Sequence, residues 1–475
     1  MKPIGNEKNR PATVLASVLA VASVLPLAAC GAGSAPAGSA GGGGEKGGTV
    51  AGNDPITITI SVPTSSRFLE QAKQAYMEKH PGVTISIKEY YATPKQPGNM
   101  MVRSAEEDPK NIEKYVTTVS AELLGGKASD LIFTSYLPYK KYAEKGLLAD
   151  IGELMKNDKS FDTKAYYENI FEGVKFNGKL YALPVNFSIN KLLGNQDAIG
   201  SEPINDSTWT WNDFVSLAKK LSKDNNKDGI PDVSPLNRIE PALLMKIMVN
   251  SSFEKFVDVP GKKANFNSPE FIGLLKLAKA MYDEKMIPAS EMAPGSSMFA
   301  SVPNISGYEE MIMLPQANFG DKTAMYNLPS QSGDASLSFG SGVMLGIYEK
   351  SKNKKAAWDF LAFLLSENMQ KQRELGGFAV NKNASKARLE SLKTFGTQPG
   401  MKMMINGKEI VPKPASPEDI ARFGQTLTSV KRYAESDPKV TEIVRDETSA
   451  YFAGQRSAED TAKSIQNKVG TYLQE

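Results

Sequence analysis

Three observations predict an α/β fold with a mainly parallel sheet. Isoleucines alternate with small polar residues where the folded part begins, an amphipathic helix follows at once, and two more strand patterns come after it with helical sequence between. Ile56, Ile58 and Ile60 alternate with Thr57, Thr59 and Ser61, the period of a strand buried on one face. Ser65-Ser66 caps a helix carrying Phe68, Leu69, Ala72, Ala75 and Tyr76 on one side, and Pro81-Gly82 ends it. Val83, Ile85 and Ile87 make a second strand. Asp130-Leu131-Ile132-Phe133 makes a third, after the Gly125-Gly126 turn. Strands alternating with helices imply a sheet whose strands run the same way. Ligands of such sheets sit beyond the carboxyl ends of the strands. Those ends are Ser61–Ser65, Glu89–Tyr91 and Thr134–Tyr136.

The first 53 residues are of another kind. Lys2, Lys8 and Arg10 precede an apolar run from Ala12 to Ala29, which closes on Leu27-Ala28-Ala29-Cys30. A basic start, a short apolar stretch and small residues at the cut mark residues 1–29 as a secretory signal. The stretch is shorter than the roughly 20 apolar residues of a membrane span. Leu-Ala-Ala-Cys resembles the bacterial lipobox, in which the cysteine is lipidated and becomes the new N-terminus. Cys30 is the only cysteine of the 475 residues, so it is the predicted lipid anchor and no disulfide is possible within the chain. Residues 30–53 are then the acylated cysteine and a Gly/Ser/Ala-rich tether, too poor in apolar groups to pack. Its coil span is roughly 25 Å.

The remaining chain, 54–475, is long enough for two domains. The whole sequence carries a net charge of +3. Removing residues 1–29 takes away three basic side chains and one acidic, so the mature balance is near neutral. That balance gives no electrostatic footprint for nucleic acid, and no later stretch is long and apolar enough to cross a bilayer.

Several segments in order carry a resemblance to a known family. They are QAYMEKHPGVTISI, DLIFTSYLPYKKYAEKGLLADI, FNGKLYALPVNFSINKLL, TWTWNDFVSLAKKL, ANFNSPEFIGLLKLAKAMYDEKMIP and SGVMLGIYEKSKNKKAAWDFLAFLLSENMQKQ, followed by the C-terminal helix after Gly454. This ordered set, from about residue 55 to the end, resembles family 1 bacterial extracellular solute-binding proteins, including their maltose-binding and alginate-binding members. The resemblance implies the two-lobed, hinge-linked, type II periplasmic-binding-protein-like fold. Chain crossings are expected near Pro184–Ser188, Phe339–Gly342 and Gly376–Val380. The N-lobe is then about 54–185 plus 341–377, and the C-lobe about 188–339 plus 378–475. Gly340 and Gly342 suit a hinge, since glycine absorbs dihedral change.

The resemblance further implies a monomeric lipoprotein outside the cytoplasm that captures a sugar, with an oligosaccharide expected, by lobe closure. It would hand that ligand to the transmembrane subunits of an ABC permease. A glycan sensor and a peptide-binding protein without a transport role are the alternatives. The strand-end and crossing residues expected to touch ligand are Thr64, Ser65, Tyr90, Tyr91, Thr134, Tyr136, Asn186, Ser188, Phe339, Ser341 and Phe378. Trp209 joins them as an aromatic face, whereas Trp211 is expected to pack inward and Trp358 to lie in the core. Aromatic faces and neutral hydrogen-bonding groups suit uncharged sugars. Where maltose-binding members carry a tryptophan and charged residues after the third strand, this chain has Thr134, Leu137 and Pro138, which argues against maltose itself.

The loop Asp224–Asp232 offers oxygens at alternate positions from Asp224, Asn226 and Asp228, a glycine at the sixth, the Ile230 carbonyl at the seventh and Asp232 at the ninth. Hard cations take such oxygen sets, so a structural calcium ion is expected here. It is not an EF-hand, because its twelfth position is Pro235. Asn, Asp and Gly also form polar turns with no ion. No organic cofactor is expected. Nor is catalysis: the one histidine, His80, sits at a helix end, and no Ser-His-Asp set or His/Cys metal cluster is present.

Overall fold

The computed structural model describes residues 55–91, 109–224, 226–227, 229, 231–293, 295–300, 304–405 and 408–474. The signal, Cys30 and the tether lie outside these residues, as do Asp228 and Ile230 of the expected calcium loop.

The opening pattern becomes an inner strand of a five-stranded sheet. Its order is Val83–Glu89, Ile56–Val62, Leu131–Phe133, Met344–Ile347, Leu183–Pro184. The first three strands run parallel, from Ile56 opposite Val83 to Val62 opposite Glu89. Met344–Ile347 returns antiparallel between the third and the last. Ile58 and Ile60 are fully buried, as their alternation requires. The helix Arg67–Lys79 starts at Ser66, whose hydroxyl accepts the Leu69 amide at 3.1 Å. Phe68, Leu69, Ala72 and Tyr76 go into the core, while Ala75 is half-buried. His80 is exposed and stacks on Tyr76, with ring centroids 4.1 Å apart.

A second sheet of four strands, Thr323–Tyr326, Leu192–Asn195, Ser297–Ala300 and Ser234–Leu236, has its own core. Helices Trp211–Leu221, Pro241–Asn250, Pro269–Asp283, Pro438–Phe452 and Ala458–Gln474 cover it with Phe214, Met245, Leu274, Val440 and Ile465. The first of these helices opens with a capping box in which Thr210 and Asp213 satisfy each other's amides. Such a cap contributes about 1 kcal/mol. Trp211 is buried and donates to the Ser251 hydroxyl at 3.0 Å. Trp358 is buried in the first core and donates to Asp158.

A third sheet, whose buried Phe187, Ile189, Phe339 and Phe378 belong to the first core, is ordered Phe378–Ala379, Asn186–Ile189, Ser338–Gly340, Arg432–Tyr433. The three segments in which crossings are expected therefore lie side by side. Arg432–Tyr433, parallel to Ser338–Gly340, adds a fourth that sequence reasoning missed. Packing also divides the C-terminal part differently from the expected boundaries. Ala384, Leu389, Phe423 and Leu427 join the core that holds Ile58, and only from Val440 onward do the side chains join the second core. The chain thus leaves the first core through Arg432–Tyr433 rather than at residue 378. Among the described residues no helix is long and apolar enough to cross a membrane.

Candidate functional site

The third sheet forms the floor of a cleft of about 420 Å³. Asn186, Ser188, Asn190, Ser338 and Ser341 line it from the crossings, and Gly376-Gly377 and Ser436 from their continuations. The second lobe supplies one face of helix Pro241–Asn250, namely Leu243, Lys246, Ile247 and Asn250. These positions are spaced 3, 1 and 3 residues apart, so they share a side of the helix. Leu244, Met245, Met248 and Val249 face the core from the other side. Asn304 and Ser306 complete the wall.

Asn186 ties the crossings together. Its amide nitrogen donates to the Leu375 carbonyl at 3.0 Å and to that of Gly376, and its Oδ1 accepts the Val343 amide at 3.0 Å. Its own carbonyl accepts the Ser341 hydroxyl at 2.8 Å. Gly376 and Gly377 have φ of 58° and 136°, values that favour glycine. A Cβ on Gly377 would come within 2.9 Å of the Asn186 side chain. Gly340 and Gly342, expected to serve as hinge points by their freedom, have no positive φ; a Cβ on Gly340 would stand 3.2 Å from Ser188 Oγ. Their smallness keeps the crossing close to its neighbours. Fully buried Gln370 makes a second tie, donating to the Val185 carbonyl at 2.9 Å and accepting the Val380 amide at 2.8 Å.

Of the expected ligand residues, the cleft brings together Asn186, Ser188 and Ser341. Four others are committed to the interior, which corrects the expectation for them. Phe339 and Phe378 are fully buried and pack on Phe187 at 6.4 and 5.4 Å, supporting the floor from beneath. Trp209 packs among Phe214, Phe299 and Tyr326, with its indole N–H on the Asn327 carbonyl at 3.1 Å. The Thr134 hydroxyl is buried and donates to the Met344 carbonyl at 3.0 Å.

A separate group gathers at the carboxyl edge of the first sheet. Thr64 Oγ1 donates to Glu89 Oε1 at 3.2 Å, the Ser65 amide donates to the same oxygen, and the Pro63 carbonyl accepts the amides of Tyr90 and Tyr91. The Tyr90 hydroxyl donates to Glu122 at 2.6 Å; burial first, then that carboxylate, raises its pKa. Tyr136 sits edge-on to Phe133 at 5.3 Å. These residues do not line the 420 Å³ cleft. In the loop after Leu221, Asp224 Oδ2 accepts the Gly229 amide at 2.9 Å and the Asp232 amide meets the Lys223 carbonyl at 2.8 Å.

Sequence reasoning missed Asn190, Lys246, Asn250, Asn304, Ser306 and Ser436. One signal was available: Leu243 and Ile247 put apolar groups on the face opposite the core of helix Pro241–Asn250, and Leu243 is 46% exposed.

The profile of the bacterial extracellular solute-binding proteins matches residues 61–371. Solved structures share the fold. An ABC substrate-binding protein from Listeria monocytogenes in complex with cycloalternan is 18% identical with a TM-score of 0.56, over 89% of this chain and 100% of that one. A periplasmic oligogalacturonide-binding protein from Yersinia enterocolitica is 16% identical with a TM-score of 0.56, over 88% and 99%. The sugar-binding protein MalE from Xanthomonas citri is 13% identical with a TM-score of 0.57, over 88% and 98%. With two cores joined through one sheet of crossing strands, and the profile spanning both, the chain belongs to the bacterial extracellular solute-binding proteins.

Proposed function

We propose that this protein is the binding component of an ABC importer. It captures a saccharide in the cleft between its lobes, holds it without turnover, and presents the closed form to the permease. The observation that carries the reading is the cleft itself. Its floor is the sheet through which the chain crosses between cores, and amides and hydroxyls reach it from both sides, so one ligand can touch both lobes. Such groups pair with sugar hydroxyls, and a ligand favours closure only by its differential affinity for the closed form. The similar structures, one in complex with cycloalternan and one an oligogalacturonide-binding protein, support the same class. Thermal-shift screening of the purified protein against oligosaccharides tests it. A ligand binding the folded form alone raises the melting temperature; peptides or amino acids shifting it while saccharides do not would contradict the reading.

The same proposal includes a lipid anchor at Cys30, a monomer outside the cytoplasm, and a structural calcium ion held by Asp224, Asn226, Asp228, the Ile230 carbonyl and Asp232. Chelation should lower the melting temperature; an unchanged melt together with calcium-free elemental analysis would leave the loop as a polar turn.

A further inference from the structure

The cleft carries one positive charge among its neutral amides and hydroxyls. Among its described lining residues Lys246 is the only charged one, and no carboxylate lines it. Among the described residues, Lys246 has no ion-pair partner within 4.0 Å and no side-chain hydrogen bond. The carboxylate just behind the wall, Glu310, is taken up by the Ser306 amide at 2.7 Å and by the Ser306 hydroxyl. The cation behind Ser251, Arg432, donates to the Ser251 carbonyl at 2.9 Å and pairs with Glu254 at 3.4 Å. Glu435, between the lining residues Ala434 and Ser436, pairs with Lys140 at 2.6 Å, and Lys191, next to Asn190, donates to Asn327 at 2.8 Å. Among the described residues, these four neighbouring charges have partners, and Lys246 is the charged residue that lines the cleft.

Its place on the helix sharpens the point. Lys246 shares its face with Leu243, Ile247 and Asn250, so the ammonium is flanked by two apolar side chains and one amide. Closure over a bound ligand removes water from such a face. A cation stripped of water costs free energy unless an anion or several acceptors meet it. A carboxylate on the ligand would supply the anion, and charge-assisted hydrogen bonds are the stronger kind.

We propose that the ligand is an anionic oligosaccharide whose carboxylate meets Lys246, a uronate-containing glycan rather than a neutral one. This rests on the reading of the cleft as a saccharide site. The test is a glycan array carrying uronate oligosaccharides of several backbones, each beside its methyl ester, together with neutral oligosaccharides, probed with the purified protein and followed by titration calorimetry on the best pair. The acid should bind about tenfold more tightly than its ester. Lys246→Gln should bring acid and ester to within about twofold of each other, and raising the salt should erode the preference in the unchanged protein. Esters or neutral oligosaccharides binding as tightly as acids would overturn the inference while leaving saccharide capture standing, as would a preference that survives Lys246→Gln. Binding to no saccharide of any kind would overturn the carbohydrate reading as well.

Discussion

Asn186 shows how much of the hinge rests on one side chain. It is buried, donates to two carbonyls of the segment before Phe378, and accepts an amide of the segment after Gly340. Asn186→Ala leaves those groups without their partner and should cost about 2 kcal/mol of stability in urea unfolding. Asn186→Asp should cost more, because a carboxylate would then face the Leu375 and Gly376 carbonyls and have no proton to give them. An Asp variant as stable as the parent would contradict the assigned role. The residue was legible as a crossing position from the motif around it, but its clamp was not. A clamp needs two partners nearly 160 and 190 residues away, and local sequence carries no record of that distance. Trp209, Phe339 and Phe378 show the opposite failure. An aromatic residue beside a strand end looks the same in sequence whether its face is open or packed, and here each face is packed.

At the scale of elements, helices Pro438–Phe452 and Ala458–Gln474 form a pair locked by Glu447. This buried carboxylate receives Arg456 at 2.5 Å, Ser464 at 2.6 Å and Lys468 at 2.5 Å. Burial pushes its pKa up, but Lys468, Ser464 and Arg456 together outweigh burial and bring it from an ordinary 4.5 down to about 2. A carboxyl depressed by folding contributes stability above its unfolded value and loses it as the pH falls. The contribution of Glu447 should therefore be complete above about pH 4.5 and vanish towards about pH 2. Glu447→Gln should lower the neutral-pH unfolding midpoint and flatten its fall between those limits; an acid limb as steep as the parent's would show that Glu447 is not its source. Elements with one buried face were the legible ones, as in Ile56–Ile60, where period and burial agree, although Ser61 beyond them is buried too. Helix Pro241–Asn250 was harder, because both of its faces carry apolar residues and the cleft face is not set apart by polarity.

For the whole molecule, the two cores meet at more than the hinge sheet. Lys140 of the first pairs with Glu435 at 2.6 Å, just beyond the Arg432–Tyr433 strand. Lys141 donates to the Tyr472 carbonyl at 2.9 Å and stands 4.1 Å over its ring. The two-lobed order was readable because several motifs kept their sequence along the chain. The division of 378–475 was not, because the helices Lys382–Ser391 and Pro417–Thr428 would suit either lobe and only packing assigns them to the first. The proposed lipid anchor at Cys30 belongs to this scale too. Cys30→Ser should release the protein or leave it unprocessed, and the variant should take up no labelled lipid precursor; undiminished labelling would remove Cys30 as the anchor.

Ligand in the cleft should draw the lobes together about the crossing strands. Small-angle scattering of the purified protein, with and without a saturating amount of the saccharide that most raises its melting temperature, measures this directly. The radius of gyration should be smaller with ligand bound. A radius that stays the same while calorimetry shows one ligand bound per chain would contradict it.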